Sequence, residues 1–284
     1  MLNTLMRTVR VRPVLSYVVL TLLWSFFFWG LILTITPAGT LLEQPMKPAA
    51  FGLMMLGLIG PTFGALVCTR VIYGKGSIRA LYGRLGLWRL GVWGLMIVIP
   101  LLINLVQLGA YGLTGGSAAI NFGERLPMGL MFGVFAGILE EFGWRGFMQP
   151  HLQKRFSPFV SALIVGLVWG GIWHGFADYI GIPQEGATKL ALILLLGPAL
   201  LTAYAVMLAA LYNKTRGSML ACVGFHFFIS FSGLVFEIPF ASDAERVTWA
   251  LIGVGLAWAV ALVIAFASGM FVKTTQPRPQ PHGA

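Results

Sequence analysis

Eight long apolar runs dominate this chain and leave it few ways to fold. They are Val14–Ile35, Phe51–Tyr73, Val92–Leu113, Leu126–Gly146, Ser157–Ala177, Leu190–Tyr212, Met219–Ile238 and Val247–Val272. A hydrocarbon layer of about 30 Å is crossed by about 20 helical residues, so each run is a candidate membrane span. A soluble domain of 284 residues could not hide this much apolar surface: 58% of the residues are hydrophobic and 10% charged. A disordered chain would be poor in apolar residues, and an outer-membrane barrel would alternate apolar and polar positions. The expected fold is therefore all-α, a polytopic transmembrane helical bundle of about eight spans. It forms a single domain over residues 1–272, followed by a Pro-rich disordered cytoplasmic tail, 273–284. The first run is too long for the apolar core of a signal peptide and lacks a clear small-residue cleavage site, so it reads as a retained helix. Pro61, Pro100 and Pro198 fall inside runs and are expected to kink them.

Charge orients the map. With both termini in the cytoplasm, only Lys47, Arg125, Lys189 and Arg246 of the 19 basic residues fall on the outer side. All nine acidic residues except Glu140 and Glu141 fall on that outer side. Cytoplasmic loops of membrane proteins collect Lys and Arg, so this asymmetry supports eight spans with both ends inside, in a multi-pass protein of the cell membrane. The same rule accounts for the net charge of +10 without nucleic acid, since no basic stripe is interleaved with exposed aromatics. Cys68 and Cys222 lie in apolar runs, form no CxxC pair and read as packing residues.

An ionisable side chain in mid-bilayer is costly, about 2.5–3.5 kcal/mol on insertion scales, and such groups face interior cavities and carry function. The chain has few. Glu140, Glu141 and Arg145 lie in the fourth run, His174 in the fifth and His226 in the seventh. Glu141 and Arg145 are four residues apart and share a helix face, whereas Glu140 points about 100° away. One carboxylate can thus be held ionised by the guanidinium while the other serves as a general base. The structural alternative is a helix-locking salt bridge with a spare glutamate. His226 and Ser230 are likewise four apart, on one face of the seventh run.

The pattern Glu140-Glu141-Phe142-Gly143-Trp144-Arg145, followed by Gly146 and Phe147, with His174 in the next run and His226 about 50 residues later, resembles the CPBP (ABI) family. That family holds the type II CAAX prenyl endopeptidases and bacteriocin-processing enzymes. The resemblance covers roughly residues 126–234. The family's second motif is usually FxxxH, but here Gly170 stands four before His174, with Trp169 one further back. Its third is usually HxxxN or HxxxD, and here Ser230 follows His226. The resemblance implies an intramembrane endopeptidase of the glutamate type, with no cofactor and no metal, acting on a membrane-associated peptide or protein. In it, Glu140 with His174 would activate water and Glu141 would pair with Arg145. His226 would bind the oxyanion, with Ser230 in place of the usual amide.

The residues alone admit the same chemistry, because peptide hydrolysis needs a base, a proton donor and oxyanion donors. No GxSxG, HExxH or Walker pattern supports serine, zincin or nucleotide-driven chemistry. Three alternatives stay open: a non-catalytic protein that gives bacteriocin immunity by binding or scaffolding, a metal-dependent hydrolase using Glu and His ligands, and a transporter. The charge map makes a direct prediction. Reporter fusions after Arg84 and after Lys154 should read cytoplasmic and one after Asp243 external; a reversed reading at any of the three would overturn the orientation.

Overall fold

The computed structural model describes residues 2–38, 47–86, 90–116, 122–181, 186–236, 238 and 240–273, so the expected tail lies almost wholly outside the described residues. No strand occurs among the described residues. A short helix α1, Leu2–Val11, precedes α2, Pro13–Ile32. The others are α3, Pro48–Tyr73; α4, Gly91–Leu113; α5, Arg125–Leu152; α6, Pro158–Gly181; α7, Gly186–Lys214; α8, Met219–Val235; and α9, Asp243–Ser268. The chain is a multi-pass membrane protein. Seven of these helices are long and apolar enough to cross a membrane, and each corresponds to an expected run. The seventh run differs: α8 has only 17 residues, because the backbone leaves helical geometry at Phe236. The last run keeps its expected length of 26 residues but is shifted four residues toward the N-terminus, starting at Asp243. Gly269, at φ 71°, takes the left-handed cap that ends α9 at Ser268 rather than at Val272.

The proline expectations resolve into breaks. Pro61 has no N–H to give the carbonyl of Gly57, and α3 is interrupted at Ile59. Ser25 Oγ of α2 donates to that Gly57 carbonyl at 2.7 Å, Trp24 Nε1 to Leu56 O at 2.8 Å and Trp29 Nε1 to Met54 O at 3.2 Å. Backbone left unpaired by the break is thus satisfied by the neighbouring helix, as a membrane interior requires. In α4 a 3₁₀ stretch, Gly91–Val98, gives way to α-helix just before Pro100. In α7 a π-helical turn, Leu192–Leu196, precedes Pro198. Two further π turns, Trp144–Met148 in α5 and Leu167–Trp173 in α6, flank the polar centre.

The bundle centre is the second half of α7, where every residue from Thr202 to Tyr212 is buried. Leu23, Phe27, Val92, Leu95, Val263 and Phe266 are more than half exposed on the outer helices, as lipid-facing residues are. The most extensive helix pairing is α5 against α8. It rests on Gly129, Gly133 and Gly137, which meet Val235, Phe227 and Val223 so closely that a Cβ would lie 2.6, 2.7 and 2.8 Å from the nearest atom. Small residues at four-residue spacing let two backbones approach in this way.

At Gly137 the nearest atom is the Val223 backbone carbonyl, which cannot move aside as a side chain can. Gly137→Ala should therefore destabilise the protein by about 1–3 kcal/mol, the range for overpacking. Gly109→Ala, where nothing lies within 4 Å, should leave the thermal midpoint unchanged or raised. Thermal unfolding in one detergent checks both; equal midpoints would show that the α5–α8 contact is not as tight as described.

Candidate active site

The polar centre is built where the α5–α8 contact meets the π turns of α5 and α6. Glu140, Glu141 and Arg145 on α5 and His226 on α8 are all at most 2% exposed. Arg145 Nη1 donates to Glu141 Oε1 at 2.9 Å, the contact expected of a four-residue spacing. The same oxygen lies 2.6 Å from His226 Nδ1. An ionised carboxylate has only lone pairs, so the imidazole Nδ1–H is the donor. That bond fixes the ring and leaves Nε2 facing Glu140, 3.8 Å from its Oε1.

Glu140 has a different environment. Its Oε2 accepts the indole N–H of Trp169 at 2.8 Å and that of Trp144 at 3.3 Å. Its Oε1 is the oxygen turned toward His226 Nε2. The two adjacent carboxylates are thus separated in role by their surroundings. Glu141 is consumed by a guanidinium and an imidazole, while Glu140 is held by neutral donors on one oxygen only. Arg145 Nε and Nη2 and Glu141 Oε2 are buried without a protein partner, which gives the centre unused polar capacity. Among the described residues no group of three or more His, Cys, Asp or Glu side chains is arranged to hold a metal ion.

The other two candidates stand apart. His174 on α6 keeps 27% of its side chain exposed, with Nδ1 3.9 Å from Asp178 Oδ1. Trp169 and Trp173 pack edge-on to its ring, at centroid distances of 5.7 and 5.0 Å. The chemistry-bearing group next to His174 is therefore Asp178, assigned from the charge map to an outer loop and found instead one helical turn along α6. The four-residue spacing of His174 and Asp178 was the signal for it. Ser230 is half-buried, one turn beyond His226 on α8, and its hydroxyl makes no hydrogen bond to a described residue.

Trp144 and Trp169 are not among the site residues expected from sequence, although Trp169 was noted one residue before the motif position. Trp169 is hidden by the π turn. Hydrogen bonds there run i→i+5, so the residue five before His174 takes the place that a regular helix gives to the residue four before. Gly170 cannot carry an aromatic ring, because a Cβ there would lie 2.7 Å from Leu201 Cβ and 3.3 Å from the Pro198 Cα of α7. The extra residue of the π turn puts Gly170 against α7 and Trp169 against the carboxylates.

Residues 122–232, which hold all six sequence candidates, match the family model described as type II CAAX prenyl endopeptidase Rce1-like. This segment is similar to that family. A curated CAAX prenyl protease 2 of Methanococcus maripaludis is 28% identical over 79 residues, 28% of this chain. The match spans 29% of that relative's length. The matched segment begins three residues before Arg125 and ends within α8, so it brackets the whole glutamate–histidine cluster.

The two glutamates should respond differently to substitution. Glu141→Ala leaves Arg145 buried without its carboxylate and His226 without its orienting acceptor, a change that costs about 3–5 kcal/mol for a broken buried pair. In Glu140→Gln the amide oxygen still accepts from Trp169, and stability should change by less than about 1 kcal/mol. Thermal unfolding of the two purified variants reads the difference; equal losses would contradict the division of roles.

Proposed function

We propose that this chain is a membrane-embedded endopeptidase in which Glu140 is the general base. The observation that carries the reading is the split between two adjacent buried carboxylates. Glu141 binds the Arg145 guanidinium and the His226 imidazole through Oε1, while Glu140, held by two indoles through Oε2, turns Oε1 toward His226 Nε2 across 3.8 Å. Glu140 Oε1 takes a proton from an attacking water as the water oxygen bonds to the carbonyl carbon of the scissile peptide. His226, oriented through Nδ1 by Glu141, offers Nε2 to the developing oxyanion in its doubly protonated form. When the tetrahedral intermediate collapses, the C–N bond breaks and the proton held by Glu140 passes to the leaving amine. His174 with Asp178 sits at a half-exposed position beside this centre and assists water delivery, and Ser230 lines the same face of α8 as His226.

The match to the Rce1-like family supports peptide hydrolysis, and the name of the matched relative makes a prenylated CAAX peptide the first substrate to try. A bacteriocin precursor is the second. We place both termini on one side of the membrane, in the cytoplasm, with α8 counted as a crossing. A second reading is favoured by one observation: His174 and Ser230 stand outside the hydrogen-bonded cluster. On that reading the protein binds or scaffolds a partner and confers bacteriocin immunity without catalysis.

Cleavage of a quenched fluorescent prenylated CAAX peptide by protein in lipid nanodiscs separates the readings. Wild type should turn over. Glu140→Gln should fold normally and lose at least about 10²-fold in kcat/KM, the contribution of a general base. A Glu140→Gln variant as active as wild type would remove Glu140 from the role of base. A wild type inert toward both peptide classes would favour the binding protein.

A further inference from the structure

The residue that touches Glu140, Arg145 and both histidines is itself neither a glutamate nor a histidine. Trp169 Nε1 donates to Glu140 Oε2 at 2.8 Å. Arg145 lies over the Trp169 ring, its Cζ 4.8 Å from the centroid. The His226 ring is 5.3 Å away on one side and the His174 ring 5.7 Å away on another. Trp169 itself is fully buried. We propose that Trp169 is the positioning residue of this centre: its indole N–H anchors one oxygen of Glu140 so that the other faces His226 Nε2. The proposal rests on the reading of Glu140 as the base.

Three features carry it. First, a glutamate side chain has several free torsions, and nothing else among its described contacts holds Oε2 as closely, since the Trp144 bond is 3.3 Å long. Second, the donor is neutral. A cation on Oε2 would favour the ionised carboxylate and oppose its taking up a proton. An indole N–H orients the group with a weaker hold, because hydrogen bonds to ionised groups gain most when both partners are charged. Third, the backbone is shaped for it. The π turn Leu167–Trp173 and the Gly170 contact with α7 together aim the ring of Trp169 inward.

Trp169→Phe removes the N–H and keeps a ring for Arg145 and the two histidines. It also leaves a cavity, so Trp29→Phe serves as the structural control. Trp29 is equally buried and donates to Met54 O, away from this centre. Both variants should lower the thermal midpoint by similar amounts. With the quenched prenylated CAAX peptide, Trp169→Phe should lower kcat about 10-fold or more and leave KM within about 2-fold, the pattern of lost transition-state positioning. Trp29→Phe should keep wild-type kcat. A Trp169→Phe variant with wild-type kcat, or one whose loss is matched by Trp29→Phe, would overturn the proposal.

A second measurement does not depend on turnover. In protein labelled with ¹⁵N-tryptophan, the indole resonance missing from Trp169→Phe is that of Trp169. Glu140→Gln should move this resonance more than that of Trp29. An unmoved resonance would show that Trp169 does not hold Glu140, whereas a moved resonance in a protein that cleaves no peptide would uphold the contact and reject the endopeptidase reading.

Discussion

The close approach of α5 and α8 is the constraint on which the rest depends. Three glycines spaced by four residues bring the two helices together until the Gly137 face of one meets the Val223 carbonyl of the other. Side chains on a helix lean toward its N-terminus, so Glu141 reaches back along α5 toward that contact. The antiparallel α8 delivers His226 to the same place. A hydrogen bond of 2.6 Å between them is possible only because the backbones are so near. In lipid no hydrophobic force drives helices together, and dispersion between close-packed small residues supplies much of the association. The site is thus held by apolar packing on one side of it, not by its own charges.

Those charges would otherwise oppose folding. Two adjacent carboxylates buried beside a single guanidinium form an unbalanced set, and the protein answers with hydrogen bonds of graded strength. Glu141 takes the guanidinium and the imidazole. Glu140 receives two indoles from different helices. A buried carboxylate served only by neutral donors is the less tightly held of the two, and this ordering follows from environment alone, since the residues are identical in kind. The same logic explains why the two π turns sit here. Each inserts one residue's worth of rotation and re-aims side chains that a regular helix would spread around its surface.

Sequence carried much of this. The spans were legible because an apolar run of bilayer length has few other uses. The Glu141–Arg145 pair was legible because a four-residue spacing survives in any helix. Reasoning that assumes a regular period failed where the period changes. Trp169 was noted one residue before the place that the FxxxH pattern gives to an aromatic ring, and only the π turn shows why the ring is there. Asp178 was assigned to a loop because acidic residues were counted toward the outer side, although its spacing from His174 pointed to a shared helix face. The glycines of α5 stand four residues apart, but such spacing names no partner helix, and the contact with α8 is visible only in the fold. The shortness of α8 depends on where the backbone turns at Phe236, which hydropathy does not record.

That shortness has a consequence for the membrane itself. Seventeen residues rise about 25 Å, against a hydrocarbon layer of about 30 Å. α8 carries His226, and tilt cannot relieve this mismatch, since tilting shortens the span of a helix that is already too short. On the proposed topology, in which α8 is a crossing, the lipid beside it thins and the polar headgroup region comes closer to the buried cluster. The bilayer then becomes part of the site's architecture: acyl-chain length sets how far water and a peptide's polar backbone must travel to reach Glu140.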